Sequence, residues 1–172
     1  MEDLKIAFVS KYQFENDAFR GAVLVTDRET KPLEFRVTDS VRPTKIQRTL
    51  YGEILYDYIL VELIAVPLLD ALEEKPSFVL VDDEIFLEAN SKREIPVIRI
   101  SKKENIEYRK EQYINQEIKN SLKFEDLRIT ASQNIQESEL TSIQNKLAII
   151  HMSKDLLEPF KRIEKACNQL EE

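Results

Sequence analysis

Glycine is nearly missing, with only Gly21 and Gly52 in a chain of 172 residues. A phosphate-binding loop or a dinucleotide fingerprint needs several closely spaced glycines, so that backbone N–H groups can approach phosphates. Neither can be built here. Histidine and cysteine are as scarce, each present once, as His151 and Cys167. That census excludes zinc sites made of His and Cys ligands, Ser-His-Asp triads and Cys-His dyads. Both residues read as packing residues. One cysteine cannot close an internal disulfide, and the chain reads as cytoplasmic. Long apolar runs are lacking too. The longest, residues 58–69, is interrupted by Glu62 and Pro67 and is too short to span a bilayer. The opening MEDLKIAFVSKYQ places acids before its apolar segment and offers no small-residue cleavage pattern, so no secretory leader is expected. The chemistries left open are carboxylates with Mg²⁺, or lysine and tyrosine acting directly.

What is present describes a globular, soluble chain. Apolar residues make up 42% of it and charged residues 33%, enough for one ordinary domain with a real core. The glycine poverty and the Ile/Lys/Glu-rich composition suggest a thermophilic or AT-rich source. The net charge of -7 argues against tight, nonspecific DNA binding, which needs an extended basic surface. A nucleic-acid partner stays open without being favoured by charge, and no membrane partner is expected.

KIAFVSK (5–11) and RGAVLVTD (20–27) read as strands. RETK (28–31) then forms a hairpin turn into a third strand, PLEFRVTD (32–39). There Leu33, Phe35 and Val37 alternate with Glu34, Arg36 and Thr38, the period-two pattern of a sheet with one wet face. A helix follows. Thr44 and Gln47 fit a capping box, and Ile46, Leu50, Ile54, Leu55, Ile59, Leu63 and Ile64 recur at helical spacing. Gly52 implies close packing or a local bend in that helix, and Pro67 kinks or ends it. SFVLVDD (77–83) reads as a strand buried on both faces, and residues 84–94 allow a short helix. IPVIRIS (95–101) becomes the parallel neighbour of 77–83 through a right-handed crossover. Beyond Lys102 the chain turns polar, with helical potential over 102–120 and a short strand at 124–129. The last stretch carries a narrow apolar stripe through Ile143, Leu147, Ile150, Leu157, Phe160 and Ile163, bent near Pro159. The segments are therefore a core domain over 1–101, a polar connector over 102–139, and a helical segment over 140–172 that packs on the core or on a partner.

The resulting fold class is α/β: a three-stranded antiparallel meander, a long helix, parallel strands and C-terminal helices. This is the element order of ribonuclease-H-like domains, and profilin-like and roadblock-like sheets begin similarly. The analogy can be tested chemically. A two-metal nuclease of this order needs carboxylates in the first strand, on the long helix and at the end of the fourth strand. Glu53 suits the helix, and Asp82 or Asp83 suits the strand end. The first strand holds no acid. No cofactor is expected, with Mg²⁺ at Asp82 and Asp83 left open. A competing reading makes Asp82 or Asp83 the cap of the following helix.

Residues 32–52 resemble a segment of a bacterial family of uncharacterised proteins. The pattern runs through Pro32-Leu33-Glu34-Phe35, Thr38, Val41, Pro43, Gln47 and Leu50-Tyr51-Gly52. Leu156 to Phe160 and Arg162-Ile163 are similar to its C-terminal end. The resemblance implies a bacterial protein and brings no activity with it.

One cluster stands apart. Arg36, Arg42, Lys45 and Arg48 crowd the strand–helix junction beside the Thr38 and Thr44 hydroxyls, at a helix end where acids are normally favoured. It can be an anion-binding site of Arg36, Arg42, Thr44, Lys45 and Arg48 for phosphate, nucleotide, RNA or an acidic partner. It can equally be a set of weak surface ion pairs with Glu34, Asp39 and Glu53. Three functions remain: a non-catalytic binding or adaptor module for a protein or an anionic ligand; a Mg²⁺-dependent nuclease or phosphotransfer enzyme using Glu53, Asp82 and Asp83; and an oligomeric scaffold, a homodimer through the C-terminal helix.

Overall fold

Six strands form one mixed sheet in the order β3-β2-β1-β4-β5-β6. A computed structural model describes residues 4–91, 95–102, 127–132 and 135–170. The meander expected from the first forty residues is β1 (Ile6–Gln13), β2 (Phe19–Thr26) and β3 (Pro32–Val37), paired antiparallel in turn. The β2–β3 turn is organised by Asp27, whose Oδ1 accepts from the N–H groups of Glu29 and Lys31 at 2.8 and 2.9 Å. β4 (Phe78–Val81) lies parallel to both β1 and β5 (Val97–Lys102). All four residues of β4 are buried, as expected of a parallel strand covered on both faces. β6 (Leu127–Ala131) closes the sheet antiparallel to β5, displaced from the short strand expected at 124–129. Residues 124–126 and the helix expected over 102–120 lie outside the described residues, apart from Lys102 in β5. Strand order and direction are thus those of the ribonuclease-H-like arrangement.

The long helix is a run of segments. α1 (Lys45–Tyr51) starts on the expected box: the Thr44 hydroxyl accepts from the Gln47 N–H, and the Gln47 side chain accepts from the Thr44 N–H. Gly52 then ends α1 with φ +57°, leading into a 3₁₀ turn (Gly52–Ile54). Of the two roles open to Gly52, the local bend is the one found, since a Cβ there would meet nothing within 4 Å. Next come α2 (Leu55–Asp57), a π-helical stretch (Tyr58–Ala65) and α3 (Val66–Ala71). The wide π turn has a cause in Pro67, whose ring lacks an N–H and needs room against the preceding turn.

The apolar pattern of the helix is met only in part. Ile59, Leu60, Val61, Ile64, Ala65, Leu68 and Leu69 are buried as expected, but Ile46, Leu50 and Ile54 stand 63%, 74% and 63% exposed. The bend at Gly52 turns α1 off the sheet. The residues after Asp83 form a 3₁₀ helix (Glu84–Ser91) rather than an α-helix.

Alternation along the strands divides the core into two layers. Ala7, Val9, Val23, Val79 and Val97 meet the helical run and Phe86 of the 3₁₀ helix. Ile6, Phe8, Leu24, Leu80 and Ile98 face α4 (Glu137–His151) and α5 (Glu158–Gln169). Phe8 and Phe160 meet edge to face there, with ring centroids 5.5 Å apart. Pro159 sits in the first turn of α5, where its missing N–H is harmless. The narrow C-terminal stripe therefore packs on the chain's own sheet: Ile143, Leu147, Ile150, Phe160 and Ile163 are all buried. On the helical side the contact is tightest at Gly21, where a Cβ would come within 2.0 Å of Ile64 Cγ2.

Candidate functional site

The parallel register of β1 and β4 builds the site. Ile6 to Val9 run beside Phe78 to Val81, so the next residues, Ser10 and Lys11, arrive beside Asp82 and Asp83. Strand alternation sends the pairs to opposite faces. The Ser10 hydroxyl donates to Asp82 Oδ2 at 2.7 Å. On the other side Lys11 Nζ lies 3.3 Å from Asp83 Oδ2. Asp83 also caps the chain beyond it, because its Oδ1 accepts from the Ile85 N–H at 3.0 Å. Both acids expected at the end of the fourth strand are therefore engaged by first-strand side chains that carry no negative charge.

The protonation of these groups follows from their neighbours. Burial alone would lower the pKa of Lys11, but Tyr56 and Asp83 outweigh it and raise the pKa above the usual lysine value. Its ammonium is a permanent cation at neutral pH. Asp82 moves the other way from an ordinary acid. Its side chain reaches solvent at the sheet's end, yet the protein packed around it raises its pKa, against the opposing Ser10 hydrogen bond, its own backbone N–H and Lys11.

A pH signature follows. An aspartate whose folded pKa is raised loses stability as pH climbs from its unfolded value through its folded one. Asp82→Asn keeps an acceptor for Ser10 and cannot ionise. The variant should melt above the native protein at pH 7, and the two should converge below pH 3.8, the ordinary aspartate value. Thermal melts across pH 3 to 8 check this, and a gap that widens toward low pH would contradict it.

A cleft opens beside these strand ends, between the helical run and the end of β1. Its volume is about 390 Å³, and Gln13, Asp17, Arg48 and Glu53 line it together with Phe19 and Tyr56. Phe19 and Tyr56 meet edge to face at 5.5 Å. Tyr56 also touches Lys11, and so links the cleft to the strand ends. Glu53, the acid expected on the helix, lines this cleft and not the space around Asp82 and Asp83.

The junction cations divide. Arg36 turns away from the helix start to pair with Glu34 and, at 3.5 Å, with Glu73, beyond the far end of α3. Arg48 reaches the cleft and stands 3.9 Å from Asp17. Arg42 and Lys45 are exposed, and the Thr44 hydroxyl is occupied by the capping box. His151 and Cys167 lie on the C-terminal helices, Cys167 fully buried with a raised thiol pKa caused by that burial.

Sequence reasoning missed Ser10 and Lys11. The signal was available in the expected element order, since strands one and four are neighbours there and Lys11 ends the first run. A two-metal site needs carboxylates from several elements gathered around one pair of ions. Among the described residues no group of three or more His, Cys, Asp or Glu side chains could hold a metal ion. Lys11 at Asp83 and Ser10 at Asp82 do not fit a pair of divalent ions.

The order and directions of the six strands, with helices packed on the sheet, are those of a ribonuclease-H-like α/β fold. No protein-family model matches the chain, and no curated protein matches it. Among solved structures the chain is similar to human ENDOV, with a TM-score of 0.57 and 13% identity over 98% of this chain and 84% of that one. Endonuclease V of Ciona intestinalis, solved with a 24-mer DNA containing an inosine followed by a ribo-adenosine, aligns with a TM-score of 0.47 and 12% identity over 81% and 76%. The likeness to human ENDOV is one of fold. Among the described residues no helix is long and apolar enough to cross a membrane.

Proposed function

We propose that this protein is a non-catalytic binding module on a ribonuclease-H-like scaffold. One observation carries the reading: Lys11 and Ser10 of the first strand hold Asp83 and Asp82, at 3.3 and 2.7 Å. A fixed ammonium beside the acids supplies locally the positive charge that a divalent ion would bring. It does so without open coordination positions or a bound water to activate. Catalysis by metal-activated water has no footing on such a pair.

The ligand is an anion or an acidic partner that reaches the cleft from the α1 side, where Arg42, Lys45 and Arg48 are exposed. Arg48 lies on the cleft wall and carries the fork that suits phosphate or carboxylate. Its partner Asp17 is exposed and 3.9 Å away, a weak competitor for an incoming anion. The nuclease reading keeps one specific support, the placement of Asp82 at the end of β4.

One experiment separates the two. The native protein is incubated with Mn²⁺ and, in turn, inorganic phosphate, nucleoside phosphates, RNA and DNA oligonucleotides. Melting temperature and strand cleavage are both read. The expected result is no cleavage, with stabilisation by at least one anion that is lost when Arg42 and Arg48 are both changed to Ala. Cleavage that disappears in Asp82→Asn would sink the proposal and establish the nuclease.

A further inference from the structure

Leu33, Phe35 and Val37 form the apolar stripe that the alternation of β3 assigns to a covered face. In the structure they are 39%, 39% and 36% exposed. β3 is an edge of the sheet; α5 packs over β1 and β2 and meets the turn before β3 through Arg162, which donates to the Thr30 carbonyl at 2.8 Å. The opposite side of the strand is polar and tightly held. Glu34 accepts from the N–H groups of Glu73 and Glu74 and from Arg36. Those bonds outweigh the effect of desolvation and lower its carboxyl pKa.

The backbone of this edge has a definite polarity. Thr38 donates its N–H inward, to the Gly21 carbonyl at 2.9 Å. In an antiparallel ladder the bonded pairs alternate, so Arg36 and Glu34 also turn inward, toward Val23 and Val25. Phe35 and Val37 then present their N–H and C=O groups outward, unshared with β2. A register shift at Val25/Thr26 ends the regular ladder beside Leu33.

The geometry points to a second copy of this chain as the occupant of the edge, laid antiparallel against β3 about a two-fold axis at Phe35. The sequence PLEFRV is complementary to itself in that arrangement. With Phe35 opposite its own image, Leu33 falls opposite Val37, so the apolar stripes face one another on one side. On the other side Glu34 falls opposite Arg36 and Arg36 opposite Glu34. The Glu34–Arg36 pair that each copy already holds thus lines up with opposite charges facing across the axis, where a shift of register would set charge against apolar side chains. Phe35 meets Phe35 as a bonded pair, with outward N–H and C=O groups matched. An edge strand that exposes apolar side chains is a template for such pairing. The matched segment runs from Leu33 to Val37, so the dimer is a reversible one, assembled through main-chain bonds and the stripe. This surface is distinct from the C-terminal helices, whose stripe the chain buries itself.

Cross-linking tests both the surface and the register. Bonded antiparallel partners stand about 5.5 Å apart between Cα atoms, inside the range of about 4.4–6.8 Å that a disulfide spans. Under mild oxidation Phe35→Cys should form a covalent dimer with itself. Leu33→Cys should do so only when mixed with Val37→Cys. The native Cys167 is buried, and Leu50→Cys on exposed α1 controls for random collision. Sedimentation of the native protein should show a monomer–dimer equilibrium. Phe35→Lys should weaken association at least tenfold while its melting temperature at low concentration stays unchanged. A strict monomer at high concentration, a dimer that persists in Phe35→Lys, or self-cross-linking of Leu33→Cys as fast as that of Phe35→Cys would each overturn the proposal.

Discussion

Removal of residues 140–172 is expected to abolish the cooperative unfolding transition altogether. Among the described residues the segment supplies nearly all of the helical cover of one sheet face. Ile143, Leu147, Ile150, Leu156, Phe160 and Ile163 are each no more than 8% exposed. Burial of side chains of this size contributes about 1.5–3 kcal/mol each, so these six contribute about 9–18 kcal/mol. The whole stability of a domain is about 5–15 kcal/mol. The truncated chain would also open Phe8, Leu24, Leu80 and Ile98 to water. Circular dichroism on heating should show no sigmoidal melt, and the truncated protein should bind apolar dyes. Leu147→Ala is the milder control. It should stay folded and lose about 2–5 kcal/mol. A truncated chain that melts cooperatively would mean that the core closes without these helices.

The parts of the fold legible in the sequence are those where local pattern and final environment agree. β1, β2 and β4 end buried, and their β-branched runs say so. The Thr44 and Gln47 box starts α1 because capping is a local matter, decided within four residues. Two patterns misled for one physical reason. The alternation of Leu33, Phe35 and Val37, and the helical spacing of Ile46, Leu50 and Ile54, record apolar faces. They do not record whether this chain covers them. The first face lies at the sheet's edge, and the second turns away after Gly52 adopts φ +57°. The extra width at Tyr58–Ala65 was not legible, because Pro67 can end, kink or widen a helix with the same sequence signal. At the site, Asp82 and Asp83 were found from strand-end position alone. Their partners were not, since Ser10 and Lys11 acquire meaning only through the register of a strand some seventy residues away. Arg36 was grouped with the helix-start cations by sequence proximity, whereas Glu34 and Glu73 draw it elsewhere.

Ser10→Asp combined with Lys11→Ala is expected to create a divalent-metal site at the ends of β1 and β4. The Ser10 hydroxyl already touches Asp82, so a carboxylate at position 10 falls within coordinating reach of it. Loss of the Lys11 ammonium frees Asp83, whose Oδ2 it holds at 3.3 Å. Two carboxylates, at positions 10 and 82, would then face one another on one side of the sheet, with Asp83 released on the other, and oxygen ligands of this kind are what hard cations take. Without metal the variant should be less stable than the native protein, because the carboxylates at positions 10 and 82 repel and Asp83 has lost its ammonium partner. With a dissociation constant of about 1 mM, 10 mM Mn²⁺ should return about 1.4 kcal/mol, some 3–6 °C in melting temperature for a chain of this size.

Titration of Mn²⁺ into the native protein, followed by calorimetry beside that variant, tests the claim that Lys11 stands where a metal would. The native protein should give only heats of dilution and no shift in melting temperature up to 10 mM, on the order of the concentration that occupies a weak carboxylate site. The variant should saturate. Saturable Mn²⁺ binding by the native protein, lost in Asp82→Asn, would contradict the account.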